Sequence, residues 1–202
     1  MRDDDIVIDL QWPSRRVVAE LPARGLCLLT GASGAGKSTL LHALAGLVRV
    51  PGTVRVNGQI WQDAANFLPA HVRCAGLVFQ EASLLPHLNV AANFRFAAAG
   101  AARADVLLPS VTELAGRLGL QDLLAQYPSR LSGGERMRAA LACALLSGPR
   151  WLLLDEALSA LDEAMRRRVI DLLLEQAQNL PLLLVTHYPD ELAAHAVARI
   201  RL

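Results

Sequence analysis

Residues Gly31-Ala32-Ser33-Gly34-Ala35-Gly36-Lys37-Ser38-Thr39 carry a spacing suited to holding polyphosphate. The glycines let the backbone curl so that successive N–H groups point inward at β- and γ-phosphates. Lys37 adds a point charge, and the Ser38 hydroxyl is placed to ligate Mg²⁺. A helix that begins at Lys37 turns its positive end toward the same anion. A glycine-rich turn alone would share this composition. The apolar run Leu26-Cys27-Leu28-Leu29-Thr30 before it and the helical pattern after it supply the context of a phosphate cradle.

Two carboxylates follow a second apolar run, Trp151-Leu152-Leu153-Leu154-Asp155-Glu156. They would emerge at the carboxyl edge of a buried strand, where ligands bind in parallel sheets. Asp155 is the candidate for the Mg²⁺ shell, through water, and Glu156 for the general base that polarises an attacking water. His187 follows the next apolar run, Leu182-Leu183-Leu184-Val185-Thr186. Parallel strands place their carboxyl ends on one edge, so its imidazole should face the same phosphates and orient Glu156. Gln80, after Ala75-Gly76-Leu77-Val78-Phe79, can reach Mg²⁺ or the water with its amide. His42, His71, His87 and His195 have no such setting, and His42 reads as packing or surface.

These groups require a particular scaffold. Residues 6–10 and 17–20 read as short strands joined by a turn at Pro13-Ser14. Residues 53–56 alternate, and Asn57-Gly58 supplies a hairpin turn into Ile60 and Trp61. Residues 26–30, 75–79, 151–154 and 182–186 read as strands buried on both faces. Helices are predicted over 37–47, 135–146 and 161–178, with a short one near Asp190 and a last strand over 197–202. Residues 88–126, rich in alanine and leucine, read as an inserted helical part. The fold class is therefore α/β: a P-loop core with a mainly parallel sheet, a small N-terminal antiparallel β part and an inserted α-helical subdomain. As a single domain, residues 1–87 and 132–202 would form the core and residues 88–131 the helical subdomain.

Bulk properties fit. The chain has 202 residues, 53% hydrophobic and 19% charged, enough for one domain with a sizeable core. A net charge of +1 without a long basic run argues against nucleic acid as a partner. Arg166-Arg167-Arg168 reads as a solvated helix face. Cys27, Cys74 and Cys143 form no metal-ligand spacing and suggest reduced thiols in the cytosol. The start, Met1-Arg2-Asp3-Asp4-Asp5, is too acidic for a secretory signal, and no apolar run has the length of a membrane span. Membrane association would then run through a partner. The absence of an Asn-Lys-x-Asp motif disfavours a GTPase.

Between the cradle and the acids lies Leu131-Ser132-Gly133-Gly134-Glu135. It resembles the signature of the ATP-binding cassette family, the ATPase subunits that drive membrane transporters. The motif order matches that family over residues 26–189: a Q-loop over 78–88, a D-loop Ser159-Ala160-Leu161-Asp162 and an H-loop Val185-Thr186-His187. The resemblance implies ATP and Mg²⁺ as cofactors. It also implies a head-to-tail homodimer that sandwiches two ATP molecules, each between one subunit's P-loop and the other's signature. Ser132, Gly133 and Gly134 would then contact the γ-phosphate in trans, and Asp162 would contact the partner subunit. A permease's coupling helix would dock near residues 80–93, and an extracytoplasmic solute-binding protein would complete the complex. The subunit would be cytoplasmic, peripheral on the inner face of the membrane. Trp12 is the candidate to stack on adenine.

Within the family, Leu68-Pro69-Ala70-His71 followed by residues 79–88 looks most like importers of molybdate and related oxyanions. Thiamine and iron importers share much of this pattern. Glu135 stands where glutamine is more frequent, and Ala157 where proline follows the glutamate. The chain stops at Leu202, so the expected type lacks the oxyanion-sensing C-terminal domain common in molybdate-type cassettes. An export ATPase is the alternative, separated only by its partner. A soluble cassette acting on ribosomes or DNA would need a second cassette or a long coiled-coil insertion.

Overall fold

The computed structural model describes residues 6–12, 15–100, 110–187 and 189–202. Strands β1 (Ile6–Trp12) and β2 (Arg15–Leu21) pair antiparallel, from Ile6 against Leu21 to Trp12 against Arg15. They run beyond the expected residues because pairing continues through polar Gln11, Arg15 and Arg16, which no apolar alternation marks. The turn expected at Pro13-Ser14 lies outside the described residues.

β3 (Gly25–Thr30) leads through the P-loop into α1 (Lys37–Ala45). The helix stops short of the expected residue 47 at a left-handed cap, Gly46, and the Gly46 and Leu47 N–H groups return to the carbonyls of Ala43 and His42. β4 (Gly52–Val56) and β5 (Gln59–Gln62) form the predicted hairpin, with Asn57 at φ 50° and Gly58 at φ 73°, as a two-residue primed turn demands. The four strands make one antiparallel sheet in the order β2-β1-β4-β5.

A short helix α2 (Ala70–Arg73) precedes β6 (Ala75–Val78). This strand pairs only with β7 and its last rung is Val78 with Leu154, so Phe79 falls in the following loop and not in the strand as expected. The helical segment contains α3 (Val90–Ala99), α4 (Val111–Arg117) and two single 3₁₀ turns at Gln121–Leu123 and Pro128–Arg130. Then come α5 (Gly133–Leu146), β7 (Trp151–Asp155), α6 (Glu163–Ala177), β8 (Pro181–Val185) and β9 (Ala196–Arg201). The helix expected near Asp190 does not form. Residues 189–195 are turns, closed by three-residue bonds such as Leu192 N–H to Pro189 O and Ala193 N–H to Asp190 O.

β6-β7-β8-β3-β9 form one parallel sheet. Its strands alternate between two cores, as a period of two requires. Leu28, Val78, Leu154 and Leu184 face α3, α4, α5 and α6. Cys27, Leu29, Leu153, Leu183 and Val185 face α1 and the antiparallel sheet. Among the described residues the helical segment has no separate core: Val90, Phe94, Leu114 and Leu118 join the first cluster. The arginine run is only partly a solvated face. Arg166 is largely buried and pairs with Glu191 at 3.4 Å, Arg167 pairs with Glu163, and Arg168 is exposed.

Candidate active site

The strand order explains the site. β8 lies between β3, which feeds the P-loop, and β7, which carries the acids, with β6 outside β7. All run parallel, so the P-loop, His187, Asp155-Glu156 and Gln80 follow one another along a single carboxyl edge, with neighbouring strands about 4.8 Å apart.

In the cradle, Gly34 and Gly36 have φ of 75° and 94°, and a Cβ on either would meet no atom within 4 Å. The backbone conformation, not crowding inside the chain, calls for glycine there, and the space over the loop stays open for an anion. Lys37 is 7% exposed, and its Nζ donates to the carbonyls of Gly31 (3.0 Å) and Ala32 (2.9 Å). Ser38 and Thr39 follow on the first turn of α1.

Asp155 is 4% exposed and has no ion pair among the described residues. A carboxylate buried that deeply is costly unless a cation meets it. With Ser38 and Gln80 on the same edge, this donor set of hard oxygens fits Mg²⁺. Glu156 takes φ 52°, a left-handed conformation uncommon for a glutamate. It is held there by its N–H to Val185 O (3.1 Å) and by its carbonyl, which accepts from Ser159 N–H (3.0 Å) and Oγ (2.7 Å). The tight turn aims the side chain along the sheet edge. His187 Nε2 donates to Glu156 Oε1 at 2.8 Å, and Gln80 Nε2 donates to Oε2 at 3.1 Å. The structure thus joins Gln80, Glu156 and His187 in one hydrogen-bonded group. His42 packs on Phe79, ring centroids 5.5 Å apart, and so links α1 to the loop carrying Gln80.

Trp12 ends β1 half-buried against the second core. Its partner across the ladder, Arg15, donates from Nη1 to Ala35 O of the P-loop at 3.3 Å, which brings this strand end to the cradle. Ser132, Gly133 and Gly134 open α5, and no hydrogen bond joins them to the P-loop among the described residues. Ser132 and Glu135 form a capping box. A Cβ on Gly133 would meet nothing within 4 Å, whereas one on Gly134 would lie 2.9 Å from Ala160 O. Gly134 is required by the fold, while the space beside Gly133 is open to something outside the chain. Asp162 caps α6, accepting from Met165 N–H at 2.9 Å.

Three residues that position the site escape sequence reading. One is Arg15. Asn93, 3% exposed, accepts from Leu85 N–H and donates to the carbonyls of Leu85, Leu88 and Asn89, pinning the loop after Gln80 to α3. Arg73, fully buried, clasps the end of α1 through the carbonyls of Ala43 and Leu44. A polar side chain inside an apolar helix was the only available signal for Asn93.

Residues 15–159 match the family described as ABC transporter. The molybdenum import ATP-binding protein ModC of Thiobacillus denitrificans is 44% identical, the match covering 91% of this chain and 52% of that protein. The ModC of Methylococcus capsulatus is 45% identical, with 98% and 57% covered. ModC 1 of Azotobacter vinelandii is 46% identical, with 86% and 49% covered. The chain spans about half the length of the curated relatives it matches. In fold, it superposes on a bacterial Atm1-family ABC exporter with ATP bound at a TM-score of 0.77 and 23% identity, covering 98% of this chain and 38% of that one.

Proposed function

The chain belongs to the ABC transporter family, and from that premise we propose that it is the ATP-hydrolysing, energy-coupling subunit of an importer of molybdate or a related oxyanion. The observation that carries the chemistry is the Glu156 carboxylate, held by His187 and Gln80 on the edge shared with the P-loop. The import direction and the molybdenum cargo are supported by the relatives' names.

In this reading the P-loop N–H groups and Lys37 bind the β- and γ-phosphates, and Trp12 stacks on adenine. Lys37 exchanges the carbonyls of Gly31 and Ala32 for phosphate oxygens. Ser38, Gln80 and Asp155 would hold Mg²⁺, which would supply positive charge against the phosphate oxygens. Glu156 accepts a proton from the attacking water. His187 keeps that carboxylate in place before ATP binds and then turns its Nε2–H to the γ-phosphate, while Gln80 holds the other carboxylate oxygen. Ser132 and the open flank of Gly133 meet the γ-phosphate of a second copy's ATP, with Gly134 and Asp162 at the same interface. Two copies close on ATP and open after hydrolysis.

Residues 1–87 and 132–202 serve as the nucleotide-handling core and residues 88–131 as the part that faces a membrane permease. Asn93 ties the loop after Gln80 to α3, so a shift at the γ-phosphate reaches that part. Among the described residues no helix is long and apolar enough to cross a membrane. The subunit works on the cytoplasmic face through the permease, which receives solute from an extracytoplasmic binding protein.

The test is Glu156→Gln, expected to bind MgATP, to lose about 10²- to 10⁴-fold in turnover and to accumulate as an ATP-bound dimer by light scattering. Normal turnover would remove Glu156 from the base role. Ser132→Arg in that background should prevent the dimer while leaving single-subunit binding intact.

A further inference from the structure

We propose that Glu135 is a positioning residue that restrains dimer closure by holding the Ser132 hydroxyl in a hydrogen bond it must release to reach the γ-phosphate. This rests on the signature reading of the preceding subsection. Ser132 Oγ lies 2.8 Å from Glu135 Oε2, and the same oxygen accepts Ser132 N–H at 2.7 Å. The hydroxyl oxygen in turn accepts Glu135 N–H at 3.3 Å. A hydroxyl has one proton, and a carboxylate accepts only, so the Ser132 proton is committed to Glu135. It cannot be given to a phosphate at the same time.

The acceptor's charge makes the restraint strong. A bond to an ionised oxygen is roughly twice as strong as one to a neutral amide. The two Ser132 donors hold the Glu135 carboxyl below its usual range. The nearby cation does not neutralise it by contact, because Arg138 gives its Nη1 to the carbonyls of Leu118 and Gly119. An approaching triphosphate therefore meets a negative charge and an occupied hydroxyl. Closure has to turn Glu135 away from Ser132. A glutamine would keep the capping geometry and remove both the charge and the stronger half of the bond.

The experiment titrates ATP into the Glu156→Gln protein with and without Glu135→Gln. Dimer is followed by light scattering, and nucleotide affinity of the single subunit by a fluorescent ATP analogue at concentrations too low for dimer. Glu135→Gln should shift half-maximal dimerisation to roughly tenfold less ATP, the scale of one charge-assisted bond exchanged for a neutral one. Single-subunit affinity should stay unchanged. In a Ser132→Ala background the same change should produce a clearly smaller shift, because only the repulsion between the Glu135 charge and the phosphates is then removed. Dimerisation at equal or higher ATP in Glu135→Gln overturns the proposal, as does an undiminished shift without the Ser132 hydroxyl. A dimer indifferent to Ser132→Arg would overturn the signature reading itself, which separates the two failures.

Discussion

Arg73→Met removes a charge that lies far from the phosphates yet anchors the helix that carries their cradle. Arg73 is fully buried. Its Nε donates to Leu68 O (2.7 Å), its Nη1 to Ala43 O (2.8 Å) and Leu44 O (3.0 Å), and its Nη2 to Trp61 O (3.4 Å). The guanidinium also sits 4.9 Å from the Phe67 ring centroid. Burial pulls its pKa down to about 10, which leaves it charged at neutral pH.

Methionine fills most of the volume, so the cavity contribution is small. The cost falls on the acceptors. Ala43 O keeps the Gly46 N–H, and Trp61 O keeps the Leu68 N–H. Leu44 O and Leu68 O have only Arg73 among the described residues. The buried Leu44 carbonyl left without a donor costs about 1–3 kcal/mol, and the part-buried Leu68 carbonyl less. Relief from burying a cation returns part of that, so the net loss should be about 1–3 kcal/mol. For a domain of this size the melting temperature should fall by about 2–12 °C. Saturating ATP, at about a hundred times its Kd, should restore roughly 2.7 kcal/mol if α1 reforms around it. The assay is urea unfolding with and without MgATP. A variant as stable as the parent would refute the reasoning, because the guanidinium's hydrogen bonds would then do no more than offset its burial.

Two further outcomes follow from the site. Gly133→Ala should keep or slightly raise the melting temperature, since its Cβ meets open space, but weaken ATP-driven dimerisation; Gly134→Ala should lower the melting temperature, since its Cβ would lie 2.9 Å from Ala160 O. Equal melting shifts in the two variants would refute the contrast. Glu135 and Glu175 have pKa values held below the ordinary 4.5, by Ser132 N–H and by Arg117 respectively, so their stabilisation is complete above about pH 4.5 and is lost as pH falls through the lowered values. Urea midpoints between pH 6 and pH 3 should fall less steeply in a Glu135→Gln, Glu175→Gln double variant, and an unchanged slope would exclude these two carboxylates as contributors.

The chain's local chemistry was legible without coordinates. Glycine spacing marked the P-loop, and Asn57-Gly58 marked a hairpin that needs two positive φ values. Apolar runs ending at Thr30, Asp155 and Thr186 identified buried parallel strands, because strands covered on both faces need no polar alternation. These signals act within a few residues, so the order of residues contains them.

What the tertiary structure decided depends on neighbours distant in sequence. No local pattern says that β8 inserts between β3 and β7, and that order is what puts His187 next to Glu156 along the edge. Strand β6 ends at Val78, where its pairing with Leu154 of β7 ends. The segment near Asp190 has residues a helix accepts, yet residues 189–195 form turns. Arg73, Asn93 and Arg15 read as ordinary polar residues until the carbonyls they satisfy are brought together. Sequence determined which groups could handle phosphate. Packing, which satisfies buried polar atoms across long separations, decided which of them meet.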